Sequence, residues 1–189
     1  AGSTPYTAVE PHPVSLAVLR ENIALNGLDS VRVLAAAVVG RNSADTMTLL
    51  VPELDPDQAP AGAYLGDGAE GADRTSRASH IVDVVAASTL VGDADLIKLD
   101  VEGYEYEILS SITAYVEANR PTIFVEVLNH TPNLRALLRS WCERLDYIAY
   151  VPKANSLDSI PSQDLIATDL ERIHGTRDLI MSVRTDLFD

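Results

Sequence analysis

The chain has 189 residues, of which 47% are hydrophobic, and a formal net charge of −14. This acidity argues against nucleic acid or an anionic membrane as the main partner, because both are bound by basic surfaces. The single cysteine excludes an internal disulfide and a cysteine-built zinc site, and no apolar run is long enough to cross a bilayer. These features predict one domain over residues 1–189 in a cytoplasmic protein.

Strand and helix patterns alternate along most of the chain. A strand at residues 4–10 leads into a helix that starts at Pro13 and stops at Asn26-Gly27. Further strands are predicted at residues 31–39, 46–51 (at a sheet edge), 81–85, 96–99, 122–128, 147–151 and 179–183, with helices at 103–116 and 132–145. The alternation predicts an α/β fold with a mostly parallel sheet and helices on both faces. Because the last connection has only a short helix near residues 165–173, we expect the final strand to run antiparallel beside residues 147–151.

Residues 52–79 have a different composition from the rest of the chain. Proline, glycine, alanine and aspartate dominate there without any period. A loop of this length in a compact domain is usually a functional lid or disordered. The spacing of Asp55, Asp57 and Asp67 does not match a calcium-binding loop, so the sequence predicts no metal site.

The stretch from Asp95 to Glu105 carries the strongest functional signal. An apolar strand, interrupted by Lys98, ends at Asp100, and Glu102 follows at the start of a helix. Ligands of open α/β sheets lie at the carboxyl ends of strands, so Asp100 is a candidate to orient a hydroxyl, hold an amine or act as base. The structural alternative is an ion pair with Lys98. Glu102 and Glu105 would also be favoured there by the helix dipole alone.

Two further strand ends carry polar residues. Glu10 ends the first strand, where nucleotide-binding folds place an acid that binds ribose; the alternative is a surface glutamate beside a proline turn. His130 follows the strand at 122–128 and is either a general base or simply exposed. Glu126 interrupts that strand, and we expect it to pair with Lys98 on an adjacent strand. Nucleophile-elbow, P-loop and Cys/His-dyad motifs are absent from the sequence.

Between residues 9 and 128 the sequence resembles the FkbM-type methyltransferases. The resemblance is carried by Val9-Glu10-Pro11-His12-Pro13, by Ile97-Lys98-Leu99-Asp100-Val101-Glu102-Gly103-Tyr104-Glu105, and by Arg120-Pro121 with Val125-Glu126. It implies a Rossmann-like class I fold, S-adenosyl-L-methionine (SAM) as methyl donor, and transfer to a hydroxyl of a small molecule, either a natural product of secondary metabolism or a sugar. It places Glu10 at the ribose and counts Pro11 and His12 among the residues that bind the cofactor.

The resemblance also implies that Ala36 and Ala37 border the adenine, and that Asp100 and Glu102 lie beside the methionine end or the acceptor. Two other hypotheses remain: a catalytically silent domain for binding or assembly, and a nicotinamide-dependent oxidoreductase. The Asp-Val-Glu-Gly block and the absence of a Tyr-x-x-x-Lys pair weigh against the oxidoreductase.

One departure concerns the start of the chain. Such enzymes carry a strand and a loop of the Asp-x-Gly-x-Asn-x-Gly kind before the Glu-Pro strand, whereas only Gly2 precedes Glu10 here. We therefore expect a gap between the Glu10 and Asp100 strands, and poor SAM binding by residues 1–189 alone. The missing segment would be encoded upstream or supplied by another chain, which leaves a homo-oligomer open.

Overall fold

The computed structural model describes residues 5–41, 44–52, 63–65, 76–167, 169–185 and 187. The strands are β1 (Tyr6–Val9), β2 (Val31–Leu34), β3 (Ala37–Val39), β4 (Thr46–Pro52), β5 (Tyr64–Leu65), β6 (Ser76–Ala86), β7 (Leu96–Leu99), β8 (Thr122–Glu126), β9 (Ile148–Pro152), β10 (Leu157–Ile160) and β11 (Asp178–Ser182). The helices are α1 (Pro13–Leu25), α2 (Ala87–Leu90), α3 (Glu105–Ser111), α4 (Thr113–Asn119), α5 (Pro132–Leu145), α6 (Asp164–Ala167) and α7 (Leu170–His174). The predicted α/β class is confirmed. In these ranges no helix combines the length and the apolar character that a membrane span requires.

The sheets are mixed, so the prediction of a mostly parallel sheet is wrong. One sheet has the order β10-β9-β11-β8-β7, a second has β3-β6-β4-β5, and β1 pairs with β2. The pairs β1–β2, β3–β6 and β7–β8 are parallel, whereas the other pairs are antiparallel. Parallel pairing needs a long crossover, and the connections into β5, β6, β10 and β11 carry no long helix among the described residues. The predicted antiparallel course of the final strand, β11, beside β9 is confirmed.

Several predicted boundaries are wrong. The strand expected at residues 31–39 is divided into β2 and β3, and the helix expected at 103–116 is divided into α3 and α4 at Ile112. Strand β4 is not at an edge, because it lies between β6 and β5. The segment predicted as a loop contains β5 and the start of β6, whereas its residues 53–62 and 66–75 lie outside the described part. The sequence reading also missed β10.

Strands β1 and β7 lie in different sheets. In the described part of the chain, β1 pairs with β2 and β7 with β8, and neither pairs with the other. The sequence predicts a gap between these two strands, and none of the described strands fills it.

The main core lies between the five-stranded sheet and α5. The fully buried residues of α5, among them Leu134, Leu138 and Trp141, recur at helical spacing and face this core. The Trp141 and Tyr147 rings lie 6.0 Å apart, and the Tyr147 hydroxyl donates to the Pro121 carbonyl at 2.7 Å. Each fully buried aliphatic or aromatic side chain of this kind stabilises the fold by about 1.5–3 kcal/mol. This core therefore fixes β7 and β8, whose ends carry the polar residues discussed below.

Gly40 lets helix α3 approach the end of β3. A Cβ atom at Gly40 would overlap the Glu107 carbonyl oxygen and lie 3.4 Å from the Ser111 Cβ. Backbone cannot yield as a flexible side chain does, so only glycine fits there.

Gly40→Ala is expected to lower the free energy of unfolding by about 1–3 kcal/mol, because α3 must move away from β3. The matched control is Gly27→Ala. Gly27 has a φ of +63° but no atom within 4 Å of the added Cβ, so that variant tests backbone strain without a clash. Urea unfolding measures both variants. A Gly40→Ala protein as stable as the wild type would contradict the close approach of α3.

Candidate active site

A cavity of about 300 Å³ lies where β1 and β7 end. Four chain segments line it: the exit of β1 with the start of α1, the β2–β3 junction, the β4–β5 pair, and the turn after β7. The lining residues are Val9, Glu10, Pro11, His12, Ser15, Ala36, Ala37, Val38, Leu49, Ala63, Leu65, Asp100, Val101, Glu102 and Tyr104. Strand ends are the usual place of a ligand site in α/β folds.

The cavity brings together every predicted site residue except His130. The predicted residues in its lining are Glu10, Pro11, His12, Ala36, Ala37, Asp100 and Glu102. His130 is exposed in the turn after β8 and does not belong to the lining. The apolar part of the lining formed by Leu49 and Leu65 was not predicted, because the sequence predicts β4 at a sheet edge and a loop at the position of β5.

The exit of β1 is a preorganised turn. The backbone N–H of His12 donates to Glu10 Oε1 at 2.7 Å, so the carboxylate is held at the cavity. His12 is 5% exposed and caps α1, because its Nδ1 accepts from the Ser15 N–H at 3.4 Å. Its ring meets that of His80 edge to face, with the centroids 5.2 Å apart. Burial and the neighbouring His80 lower the pKa of His12 against the opposing effect of Glu10, which favours the neutral ring that capping requires.

Asp100 forms an ion pair with Lys98, which is the structural alternative to a functional role. Its Oδ2 lies 3.1 Å from Lys98 Nζ, and the two side chains are 55% and 69% exposed, respectively. Exposed pairs of this kind are worth about 0–1 kcal/mol, so the pair does not account for Asp100 as a structural necessity. Asp100 thus places a charged, accessible carboxylate at the cavity.

The predicted pair between Lys98 and Glu126 is wrong, although the two strands are adjacent and parallel as expected. The ionic partner of Glu126 is Arg177, with 3.6 Å between Arg177 Nε and Glu126 Oε1. Register explains the difference. Leu99 lies opposite Val125, so the next position, Asp100, and not Lys98, is level with Glu126.

Asp100, Glu102 and Glu126 form a carboxylate cluster, with one oxygen from each lying within 4.8 Å of the others. Oxygens so arranged can hold a cation, but acidic groups of this kind are also common without an ion, so the cluster alone assigns no metal. Burial, chiefly, and the charges of Glu102 and then Asp100 raise the pKa of Glu126 to about 7, against the opposing effect of Arg177. Near neutral pH the cluster therefore retains a proton for part of the time.

Glu126 is expected to make the fold less stable as the pH rises. The folded-state pKa of Glu126, about 7, lies above the ordinary 4.5. The contribution of Glu126 to the stability of the fold is therefore fully present below pH 4.5 and is lost as the pH rises through 7. The free energy of unfolding of Glu126→Gln, relative to that of the wild type, is therefore expected to increase by about 1–2 kcal/mol when the pH is raised from about 5 to about 8.5. Urea unfolding at both pH values measures this gain, with the exposed Glu143→Gln as control. An equal difference between Glu126→Gln and wild type at both pH values would contradict the shifted pKa.

The fold and the site define an α/β protein whose strand ends meet at an acidic cavity. The chain matches the family model described as the methyltransferase FkbM domain over residues 1–149, and it belongs to that family of methyltransferases. This confirms the resemblance noted from the sequence.

The crystal structure of methyltransferase FkbM from Methylobacillus flagellatus KT is similar to this chain. The TM-score is 0.50 and the sequence identity 16%; the match covers 94% of this chain and 36% of that one. At this identity the likeness supports the fold alone. The chain spans little more than a third of the length of that protein. No curated protein matches the sequence significantly.

Proposed function

We propose that this protein is a class I, SAM-dependent O-methyltransferase that acts on a hydroxyl of a small molecule, either a natural product or a sugar. One observation carries the proposal: Glu10, Ala36 and Ala37 line the same cavity as Asp100 and Glu102. The residues assigned to the cofactor and those assigned to the acceptor thus line one cavity.

The β1 side of the cavity suits the nucleoside part of the cofactor. The Glu10 carboxylate, held by the His12 N–H, can accept hydrogen bonds from ribose hydroxyls. Ala36 and Ala37 would present short side chains to a flat base, and the buried Leu49 and Leu65 would exclude water beside it. These residues therefore fit the group assigned to them.

The charges of the lining favour a cationic cofactor over a dinucleotide. Glu10, Asp100 and Glu102 are acidic, and the described lining contains neither lysine nor arginine. A pyrophosphate would face these carboxylates with no lysine or arginine in the described lining to offset its charge, which costs free energy. When bound, SAM supplies an electrophilic methyl group on a positively charged sulfur. The acidic lining complements that charge and argues against the nicotinamide alternative.

The turn after β7 carries the residues that would orient the acceptor hydroxyl and take its proton. Methyl transfer mainly requires donor and acceptor in line, with a base to take the hydroxyl proton. Asp100 is an accessible carboxylate at the cavity, and Glu102 lies within 4.8 Å of it in the carboxylate cluster. We assign the orientation of the hydroxyl and the removal of its proton to Asp100, with Glu102 beside it. His130 is the alternative base.

Thermal-shift titration of the full-length protein tests the proposal. SAM and S-adenosylhomocysteine are expected to raise the unfolding midpoint, whereas NAD is not. A shift with NAD alone would support the oxidoreductase alternative. No shift with any of the three ligands would support the silent binding domain.

A further inference from the structure

Glu105 is a fully buried acidic residue next to the cavity but outside its lining. It is 0% exposed and is the first residue of α3, directly after the turn that follows β7. Burial, its main influence, and the charge of Glu102 raise the pKa of Glu105, while its bonds to backbone N–H groups oppose this rise. A buried carboxyl is costly unless it has partners, so its partners indicate its role.

The partners of Glu105 are backbone groups of the turn. Its Oε1 accepts from the Val101 N–H at 3.0 Å and from the Gly103 N–H at 3.3 Å. The Tyr104 N–H donates to the Val101 carbonyl at 3.4 Å and closes the same turn. One carboxyl oxygen thus holds the residues on both sides of Glu102.

The turn needs such support because its backbone is strained. Glu102 has a φ of +53°, in the left-handed region that residues other than glycine rarely adopt, and Gly103 has a φ of +98°. Strain of this kind persists only where surrounding contacts fix it. The two hydrogen bonds that the Glu105 carboxyl accepts from the turn provide such contacts.

The same turn supplies one wall of the cavity. Asp100, Val101, Glu102 and Tyr104 all belong to the lining. A favourable charge at the start of α3 would not by itself explain Glu105, because a helix dipole can be complemented by an exposed carboxylate such as that of Glu107.

We propose that Glu105 is a positioning residue: as a hydrogen-bond acceptor it holds the turn of residues 100–104 in the conformation that places Asp100 and Glu102 at the cavity. The catalytic meaning of this role rests on the proposed function, but the conformation of the turn does not. Glutamine keeps the acceptor oxygen and the shape of the side chain, whereas methionine keeps a similar length without a comparable acceptor.

Amide hydrogen exchange measured by NMR tests the turn directly. We expect the Val101 and Gly103 amides to be protected in the wild type and in Glu105→Gln, and to exchange at least about tenfold faster in Glu105→Met. Core amides of β8, such as Val125, should be unaffected. The matched controls are Glu107→Gln and Glu107→Met, which change an exposed glutamate of the same helix turn and should leave the turn amides unchanged.

Turnover of the same variants tests the positioning role. We expect Glu105→Met to lower kcat at least about tenfold and by a larger factor than it weakens SAM binding, and we expect Glu105→Gln to keep the wild-type kcat. Unprotected Val101 and Gly103 amides in the wild type, unchanged exchange in Glu105→Met, or a Glu105→Gln protein that behaves like Glu105→Met would each overturn the proposal. If Glu105→Met does not fold, the wild type and Glu105→Gln still decide it. A wild type with protected amides that binds neither SAM nor S-adenosylhomocysteine would instead refute the proposed function.

Discussion

Asp100→Asn is expected to lower methyl-transfer turnover by about 10²- to 10⁴-fold, the range that a general base contributes. Asparagine keeps the size of the side chain but cannot take a proton. The free energy of unfolding should change by less than about 1 kcal/mol, because the ion pair with Lys98 is mostly exposed. Steady-state kinetics and urea unfolding of the same preparation measure the two effects.

Lys98→Gln is the matched control for Asp100→Asn. It removes the same ion pair and leaves the carboxylate in place, so near-normal turnover is expected. Normal turnover in Asp100→Asn would show that Asp100 has a structural and not a catalytic role. If His130→Ala alone abolished turnover while SAM still bound, the base would be His130 and not a carboxylate of the cavity.

Glu10→Ala is expected to weaken SAM binding by about 10- to 100-fold. A hydrogen bond from a ribose hydroxyl to a charged acceptor is worth about 1.5–3 kcal/mol, which corresponds to that loss of affinity. Glu10 is the carboxylate that the β1 exit presents to the cavity, and the His12 N–H fixes its orientation. Calorimetry of the full-length protein with SAM measures the change.

Two control variants separate recognition from folding in that experiment. Glu21→Ala removes an exposed glutamate from α1 and should leave the affinity unchanged. Glu10→Gln can still accept from the His12 N–H but lacks the charge, so an intermediate loss is expected. Unchanged affinity in Glu10→Ala would remove Glu10 from the ribose site.

The sequence predicted elements whose signal is local. The helical spacing of Leu134, Leu138 and Trp141 located α5, and the apolar run before Asp100 located β7. The family resemblance then assigned roles to residues that are far apart in sequence but lie in one cavity, from Glu10 to Glu102. Local patterns and motif order were sufficient for these predictions.

The β7–β8 and β9–β11 pairs were predicted, but other features that depend on pairing were not. Strands β5 and β10 are short and are stabilised by β4 and β9, so their own residues carry little signal. The partner of Glu126 is Arg177, which β11 brings beside β8 from a distant part of the chain. The contact between Gly40 and Glu107 depends likewise on the approach of α3 to β3. No periodicity within one segment reports such contacts.

A crystal structure of the full-length protein with S-adenosylhomocysteine would show directly whether the cavity at the ends of β1 and β7 binds the cofactor. We expect the ribose hydroxyls to donate to the Glu10 carboxylate, the adenine to lie against Ala36 and Ala37, and the sulfur to face Asp100 and Glu102. A ligand bound elsewhere, or bound in this cavity without contact to Glu10, would contradict it.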